Sequence, residues 1–248
     1  MLKRYVFAAI VPCLLAQCAS AEKKEKPTIV GAAQVQDSRA EFGALKKDLQ
    51  KNYGRYTSIS ANFVVKGKVD GRQVYYSGAL KSYSSDVQNP NLHITVKEPT
   101  FDSPLAELRV KGDSVTERNY IRDSTIRRKL ESYRWVELFG RVFPFRFFLP
   151  ILMGGVPQEV YLQNASYQPG KSRIMVEAGQ YEFIVNLTGS TMKNIYYKSK
   201  MANEGVLIMQ FIGRVKNKLN LIFPQKIIIT QSRSDDYLTM NFSRVRIR

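Results

Sequence analysis

Few residues in this chain are of a type that does chemistry, and their spacing narrows what they could do. The 248 residues hold one histidine, His93, midway along an alternating apolar stretch beside Leu92 and Ile94. A lone imidazole with no cysteine or carboxylate at ligand spacing predicts no metal site and no nucleophile–base pair. Asp235 and Asp236 are adjacent carboxylates, but they sit in the turn-like run Ser-Arg-Ser-Asp-Asp, where solvated acids are ordinary. Acid–base work would want such a pair inside a cleft. No phosphate-binding loop, dinucleotide fingerprint or serine elbow occurs. These residues predict no enzyme and no cofactor. The remaining reactive groups are two cysteines, Cys13 and Cys18, with none in the rest of the chain.

The surroundings of Cys18 give it a chemistry. Lys3 and Arg4 form a positive head, and Tyr5 to Leu15 is an apolar run too short to cross a bilayer, the pattern of an export signal. It ends in Leu15-Ala16-Gln17-Cys18, which resembles the lipobox of bacterial lipoproteins, with Gln17 departing from the usual small residue. The resemblance implies that Cys18 receives a diacylglyceryl thioether and becomes the mature N-terminus. Acyl chains contribute about 0.8 kcal/mol per buried CH₂, so a multiply acylated Cys18 would anchor the protein to a membrane. An exported domain without further cysteines has no disulfides and stands on its core alone. The expected organisation is a signal over 1–17, a lipidated cysteine and flexible tether over 18–37, and one domain over 38–248.

Charge bounds the partners. The formal net charge is +17, from 38 basic and 21 acidic residues. An export signal argues against nucleic acid, and the lysines and arginines are dispersed along the sequence, as on a solvated, mildly membrane-philic surface.

The element pattern is strand-rich. Ser38-Arg39-Ala40-Glu41 matches a capping box, and Phe42, Leu45, Leu49 and Tyr53 mark one face of an amphipathic helix. From Tyr56 onward apolar and polar residues alternate, with turn signals at Asp70-Gly71 and Lys111-Gly112-Asp113. Ser114 to Arg122, Glu159 to Tyr167 and Tyr237 to Ile247 are among about eleven strands in sequential order. Between them lies the segment 123–157, which holds the only tryptophan, Trp135. There Ile126, Leu130, Tyr133 and Leu138 space as a helix capped by Asp123 or Ser124. Pro144 opens a second helix, Phe145 to Met153, apolar nearly all round and closed by Gly154 and Gly155. The expected fold is α+β and mostly β: an antiparallel half-barrel of about eleven strands with an N-terminal helix and two lid helices. Those helices either plug the mouth of the sheet or cover a lipid-sized cavity.

This order is similar to the LolA/LolB lipoprotein-carrier family. The likeness rests on Leu92-His93-Ile94-Thr95-Val96-Lys97-Glu98-Pro99-Thr100-Phe101 followed by Leu105-Ala106-Glu107-Leu108, and on Leu138-Phe139-Gly140, Pro144 and Gly155-Val156-Pro157. It implies a monomeric outer-membrane lipoprotein facing the periplasm, which binds acyl chains of lipoproteins or phospholipid, helps insert lipoproteins, and has a periplasmic carrier protein as partner. By motif position Phe101, with Thr100, is the membrane-contacting loop; the alternative is that Phe101 folds back on the sheet. Expected to line an acyl-chain cavity are Phe63, Leu92, Ile94, Trp135, Phe147, Phe148, Met153, Phe183 and Ile228. Alternation leaves open which strand faces point inward. The other reading is an envelope or surface lipoprotein that uses the scaffold to bind another lipid or a protein, as an assembly factor or adhesin.

Overall fold

The computed structural model describes residues 32–54, 56–86, 88–133, 136–138, 141–143, 145–178, 181–199, 205–218 and 220–248. Cys18, the signal and Trp135 lie outside them. Helix α1 (Ala32–Asn52) is followed by β1 (Ile59–Val69), β2 (Arg72–Ser82), β3 (Asn91–Lys97), β4 (Pro104–Lys111), β5 (Ser114–Asn119) and β6 (Ser124–Lys129). A small hairpin, β7 (Val136–Leu138) and β8 (Arg141–Phe143), leads into α2 (Phe145–Leu152). The chain then runs through β9 (Ser166–Gln168), β10 (Arg173–Ala178), β11 (Tyr181–Thr188), β12 (Thr191–Ser199), β13 (Val206–Lys216), β14 (Ile222–Gln231) and β15 (Tyr237–Ile247).

Thirteen of these strands form one open antiparallel sheet in the order β6-β5-β4-β3-β2-β1-β15-β14-β13-β12-β11-β10-β9. Two meanders are therefore joined at a single seam, where the last strand pairs with the first from Ile59↔Ile247 to Lys68↔Tyr237. The seam is reinforced at one end, where the Asp236 carboxylate accepts the Asp70 and Gly71 amides at 3.0 and 3.3 Å. Of the adjacent acids Asp235 and Asp236, it is Asp236 that ties the two turns together.

One face of the sheet is mainly apolar, with Ser82 and Glu117 among its polar members. Phe63, Leu80, Leu92, Leu108, Val115, Val176, Phe183, Ile195, Leu207 and Phe242 belong to one buried cluster. Both helices lie on this inner side. The buried stripe of α1 is Leu45 and Leu49, with Phe42 stacked on Tyr167 of β9 at 5.8 Å. Asn52 donates to Ser190, and the Tyr53 hydroxyl accepts the Met192 amide at 3.0 Å, so α1 is pinned to the β11–β12 turn.

Three departures from the expected elements have local causes. Helix α1 begins at Ala32 rather than Ser38, because Ala32-Ala33-Gln34-Val35-Gln36 is itself helix-compatible. The first lid helix is absent: Ser124–Lys129 is β6, paired with β5 from Asn119↔Ser124 to Ser114↔Lys129. Its cause is the turn before it, where the Asn119 side chain accepts the Ile121 and Arg122 amides and Asp123 takes a φ of 46°. Asp123 thus closes a hairpin instead of capping a helix. Glu159 to Tyr167, expected as a strand, is a short 3-10 turn (Gln158–Tyr161) and then β9.

Candidate functional site

The candidate site is the hollow of the sheet and the helix that occupies it. In α2 the side chains of Phe145, Phe148, Leu149, Ile151, Leu152 and Met153 are all buried. Pro150 sits inside the helix, so the run cannot extend far. It ends in a Schellman turn: the Gly154 amide donates to Ile151 and the Gly155 amide to Pro150 at 2.7 Å. Gly154 has a φ of 73°, and a Cβ there would stand 2.8 Å from Ile59 and 2.9 Å from Phe223. Glycine therefore serves both the left-handed turn and the close approach of α2 to the seam.

Two polar contacts hold the ends of this segment. At its start the Phe145 amide donates to the Tyr133 carbonyl at 3.4 Å and the Tyr133 ring packs edge-on against Phe145 at 5.5 Å, while the Tyr133 hydroxyl donates to Glu117 at 2.9 Å. Burial, and then the Glu117 charge and hydrogen bond, push the Tyr133 phenol far up. At the other end the Tyr56 hydroxyl donates to the Met153 carbonyl at 2.5 Å and lies 2.9 Å from Ser82 Oγ and 3.0 Å from the Ser84 carbonyl. Burial raises the Tyr56 pKa to about 12, against the hydrogen bond with Ser82. Met153 O is one of the carbonyls that a helix end leaves without an intrahelical partner, and Tyr56 supplies the donor.

With α2 in place, the hollow is filled. The described cavity, between α2, the end of α1 and strands β12 to β14, is lined by Tyr53, Ile151, Met192, Phe211, Arg214 and Ile222 among others, and holds about 10 Å³. That is room for roughly one water. No acyl chain fits in that cavity.

Of the residues expected to line the hollow, Phe63, Leu92, Ile94, Phe148, Met153 and Phe183 are buried within the single inner cluster. Ile228 is not among them. Its neighbours in register are Gln210 and Thr239, on the outer face, and it is Ile227 that turns inward. In a run of three isoleucines, alternation alone cannot fix the phase. Trp135 and the Phe147 side chain lie outside the described residues.

The Phe101 loop is built for presentation. Phe101 is 81% exposed at the tip of the β3–β4 hairpin. The Glu98 carboxylate accepts the amides of Thr100 at 2.9 Å and Phe101 at 2.5 Å, and these bonds, that of Phe101 foremost, hold its carboxyl below the usual value. Lys97 pairs with Asp102 at 2.7 Å across the loop's base, and Asp102 adopts a φ of 54°. The loop does not fold back on the sheet.

His93 is on the outer face, with Nε2 at 2.5 Å from Glu107. Glu107 also accepts from Arg109 at 2.5 Å and from the Tyr120 hydroxyl at 2.9 Å. Burial presses the Glu107 carboxyl upward, but these donors and charges outweigh it and hold the group below its ordinary value. The cluster faces no cleft, and no group of metal-ligating side chains occurs among the described residues.

Sequence reasoning missed Tyr56, Ser82, Gly154's packing role and Glu98. Glu98 had a local signal, a carboxylate two and three residues before the amides it caps. Tyr56 had none, since its partners are 26 and 97 residues away.

No family model and no curated protein matches the sequence. The fold does match solved structures. A DUF1329 family protein from Desulfovibrio piger superposes with a TM-score of 0.59 at 12% identity, over 85% of this chain and 92% of that one. A LolA superfamily protein from Nitrosomonas europaea gives 0.54 at 12% identity, over 83% and 93%. A domain described as an outer membrane lipoprotein-sorting protein, from Vibrio parahaemolyticus, gives 0.55 at 8% identity, over 84% and 92%. The chain has the LolA-type open half-barrel fold.

Proposed function

We propose that this protein is a lipid-anchored carrier or receptor that takes the acyl chains of a lipoprotein or phospholipid into the hollow of its sheet by exchanging them for α2. The observation that carries this reading is the helix itself: an apolar segment of the chain fills an apolar hollow and leaves space for about one water. Ligand and helix would compete for the same surface.

The energetics favour exchange. Burying the six apolar side chains of α2 stabilises the closed state by about 9–18 kcal/mol, at about 1.5–3 kcal/mol each. A chain of about 16 methylenes gains about 13 kcal/mol at about 0.8 kcal/mol per CH₂. The two are comparable, so one acyl chain could displace the helix and be released again, as reversible transfer requires.

Cys18 would hold the protein on the outer membrane through its lipid, with residues 19–31 as part of the tether, and Phe101 would enter the bilayer interface as cargo is delivered. A protein partner, such as a periplasmic carrier, would hand over the cargo. No step calls for a catalytic group.

The test is native mass spectrometry of the gently purified protein, followed by titration with a fluorescent long-chain fatty acid. Co-purified acyl species, or saturable binding near one chain per protein that palmitate competes away, is the expected outcome. A protein that carries no lipid and binds no chain, even when the hold on α2 is weakened, would return α2 to the role of a permanent plug. In that second reading the small cavity beside α2 is ordinary core packing, and the scaffold presents its surface to a protein partner.

A further inference from the structure

We infer that the outer face of the N-terminal meander is a docking surface for anionic phospholipid. This deepens the reading above, and rests on it only for Phe101 entering the same membrane.

The lysines and arginines are dispersed in the sequence, but pairing register gathers them in space. On strands β1 to β6 the residues that alternate with the buried core include Lys66, Lys68, Lys81, Lys97, Arg109, Lys111, Arg118, Arg127 and Lys129. The acid on the strands of that face is Glu107, already bonded to Arg109, His93 and Tyr120, and at its tip Lys97 pairs with Asp102. The rest of the face is mainly Ser, Thr, Asn and Gln. One cross-strand row reads Lys81, His93, Arg109, Thr116, Arg127, and the next reads Asn91, Lys111, Ser114, Lys129. Thr116 separates Arg109 from Arg127 and Ser114 separates Lys111 from Lys129, so the register gathers positive charge on one face without setting like charges directly opposite each other. Such a face attracts an anionic partner.

The shape of the face selects among anions. It is the outside of a curved sheet, about 19 Å across from β2 to β6 at about 4.8 Å per strand. A polyanion strand is held by a groove with stacking aromatics, whereas a lipid surface is met by a broad face with an apolar edge. That edge is present. Phe101 at the β3–β4 tip and Ile121 at the β5–β6 tip, 43% exposed, project from the same end of the sheet, where the Tyr120 amide bonds Leu105 at 3.0 Å. Arg118 lies over the Tyr120 ring at 4.7 Å beside them. Tyr75, 52% exposed on the basic face with Lys66 over its ring at 4.9 Å, is of the type enriched at membrane interfaces.

The experiment uses the chain from residue 19 onward, which contains every strand of the sheet but lacks Cys18. Binding is measured by sedimentation with phosphatidylcholine vesicles, with and without phosphatidylglycerol. Affinity for the anionic vesicles should be at least about tenfold higher, and the preference should fade as salt shortens the screening length. Lys81→Gln, Lys111→Gln, Arg127→Gln and Lys129→Gln together should abolish the preference with the fold intact by circular dichroism, because all four side chains are exposed. Phe101→Ser, which removes the apolar ring without adding charge, should lower binding to both vesicle types and leave the ratio unchanged. Retention of the preference in the fourfold variant, or its absence in the parent, overturns the inference. So does tighter binding to heparin than to the vesicles. If Phe101→Ser alone is without effect, the tip reading falls while the basic face stands.

Discussion

Tyr56→Phe isolates the hold on α2 from everything else that packs the core. The ring stays, and only the hydroxyl that donates to Met153 at 2.5 Å is removed. In the closed state the loss leaves the Met153 carbonyl without its donor and Ser82, itself fully buried, short of one neighbour. An unsatisfied buried acceptor costs about 1–3 kcal/mol. With α2 displaced, water satisfies the same carbonyl, so the cost falls on the closed state alone. The opening equilibrium should then shift by about 5- to 150-fold, and the apparent affinity for a fluorescent fatty acid should rise by the same factor while the open fraction is small. The melting temperature should fall by about 2–12 °C, at about 2–4 °C per kcal/mol for a protein of this size. Hydrogen exchange supplies the control: the Met153, Gly154 and Gly155 amides should lose protection more than those at the β1–β15 seam. Lower melting temperature with unchanged or weaker fatty-acid binding would refute the reasoning, because the helix would have loosened without yielding its place.

Alkaline pH should act on the same latch. The Tyr56 pKa is raised from 10.0 to about 12, so the neutral phenol is favoured by the fold; its stabilisation is complete below pH 10 and is lost as pH rises from 10 toward 12. Fatty-acid uptake should increase over that window, with a smaller increase in Tyr56→Phe. Gly78→Ala should be strongly destabilising, by more than about 2 kcal/mol, because its Cβ would stand 2.4 Å from the Phe63 ring and 2.3 Å from the Thr95 carbonyl oxygen; chemical denaturation checks this. In the Phe101 loop, Glu98→Gln should speed amide exchange at Thr100 and Phe101. In the parent the same exchange should rise only as pH falls below the ordinary 4.5, since the folded carboxyl titrates low and orders the turn while ionised. Phe101→Asp should leave the melting temperature within about 1 °C, as expected for an exposed side chain.

The parts of the fold that were legible in the sequence are those whose cause is local. Period-two alternation at Ile59 to Val65 and Leu92 to Val96, and turn chemistry at Asp70-Gly71 and Gly112, specify strands and hairpins by themselves, and consecutive antiparallel strands then pair in order. The stripe Phe42, Leu45, Leu49, Tyr53 specified the buried side of α1 in the same way. Ser124 to Lys129 misled because Ile126, Leu130 and Tyr133 satisfy helical spacing, while the decisive event, the Asn119 side chain capping the turn amides, lies five residues upstream. Ile228 misled because three consecutive isoleucines carry no phase. The basic face was invisible because its members are separated by whole hairpins; register, not sequence, sets them side by side.

Segment 145–152 marks a different boundary. Its sequence required burial, and it is buried, but an all-apolar helix reads the same whether it is core or cover. What separates the two is how its hold compares with that of a competing ligand, a difference of large terms. Against about 9–18 kcal/mol of apolar burial, two described polar attachments bear on closed against open: the Tyr56 hydroxyl at the end and the Phe145 amide on the Tyr133 carbonyl at the start. The helix ends before Gly154 after eight residues, so it would exchange as a unit about 12 Å long, short enough that one hydrocarbon chain can match it. A plug meant to stay would gain from a longer helix and from polar ties along its flank. Polar ties at its two ends, from the Tyr56 hydroxyl and the Tyr133 carbonyl, are where a segment that swings would need them.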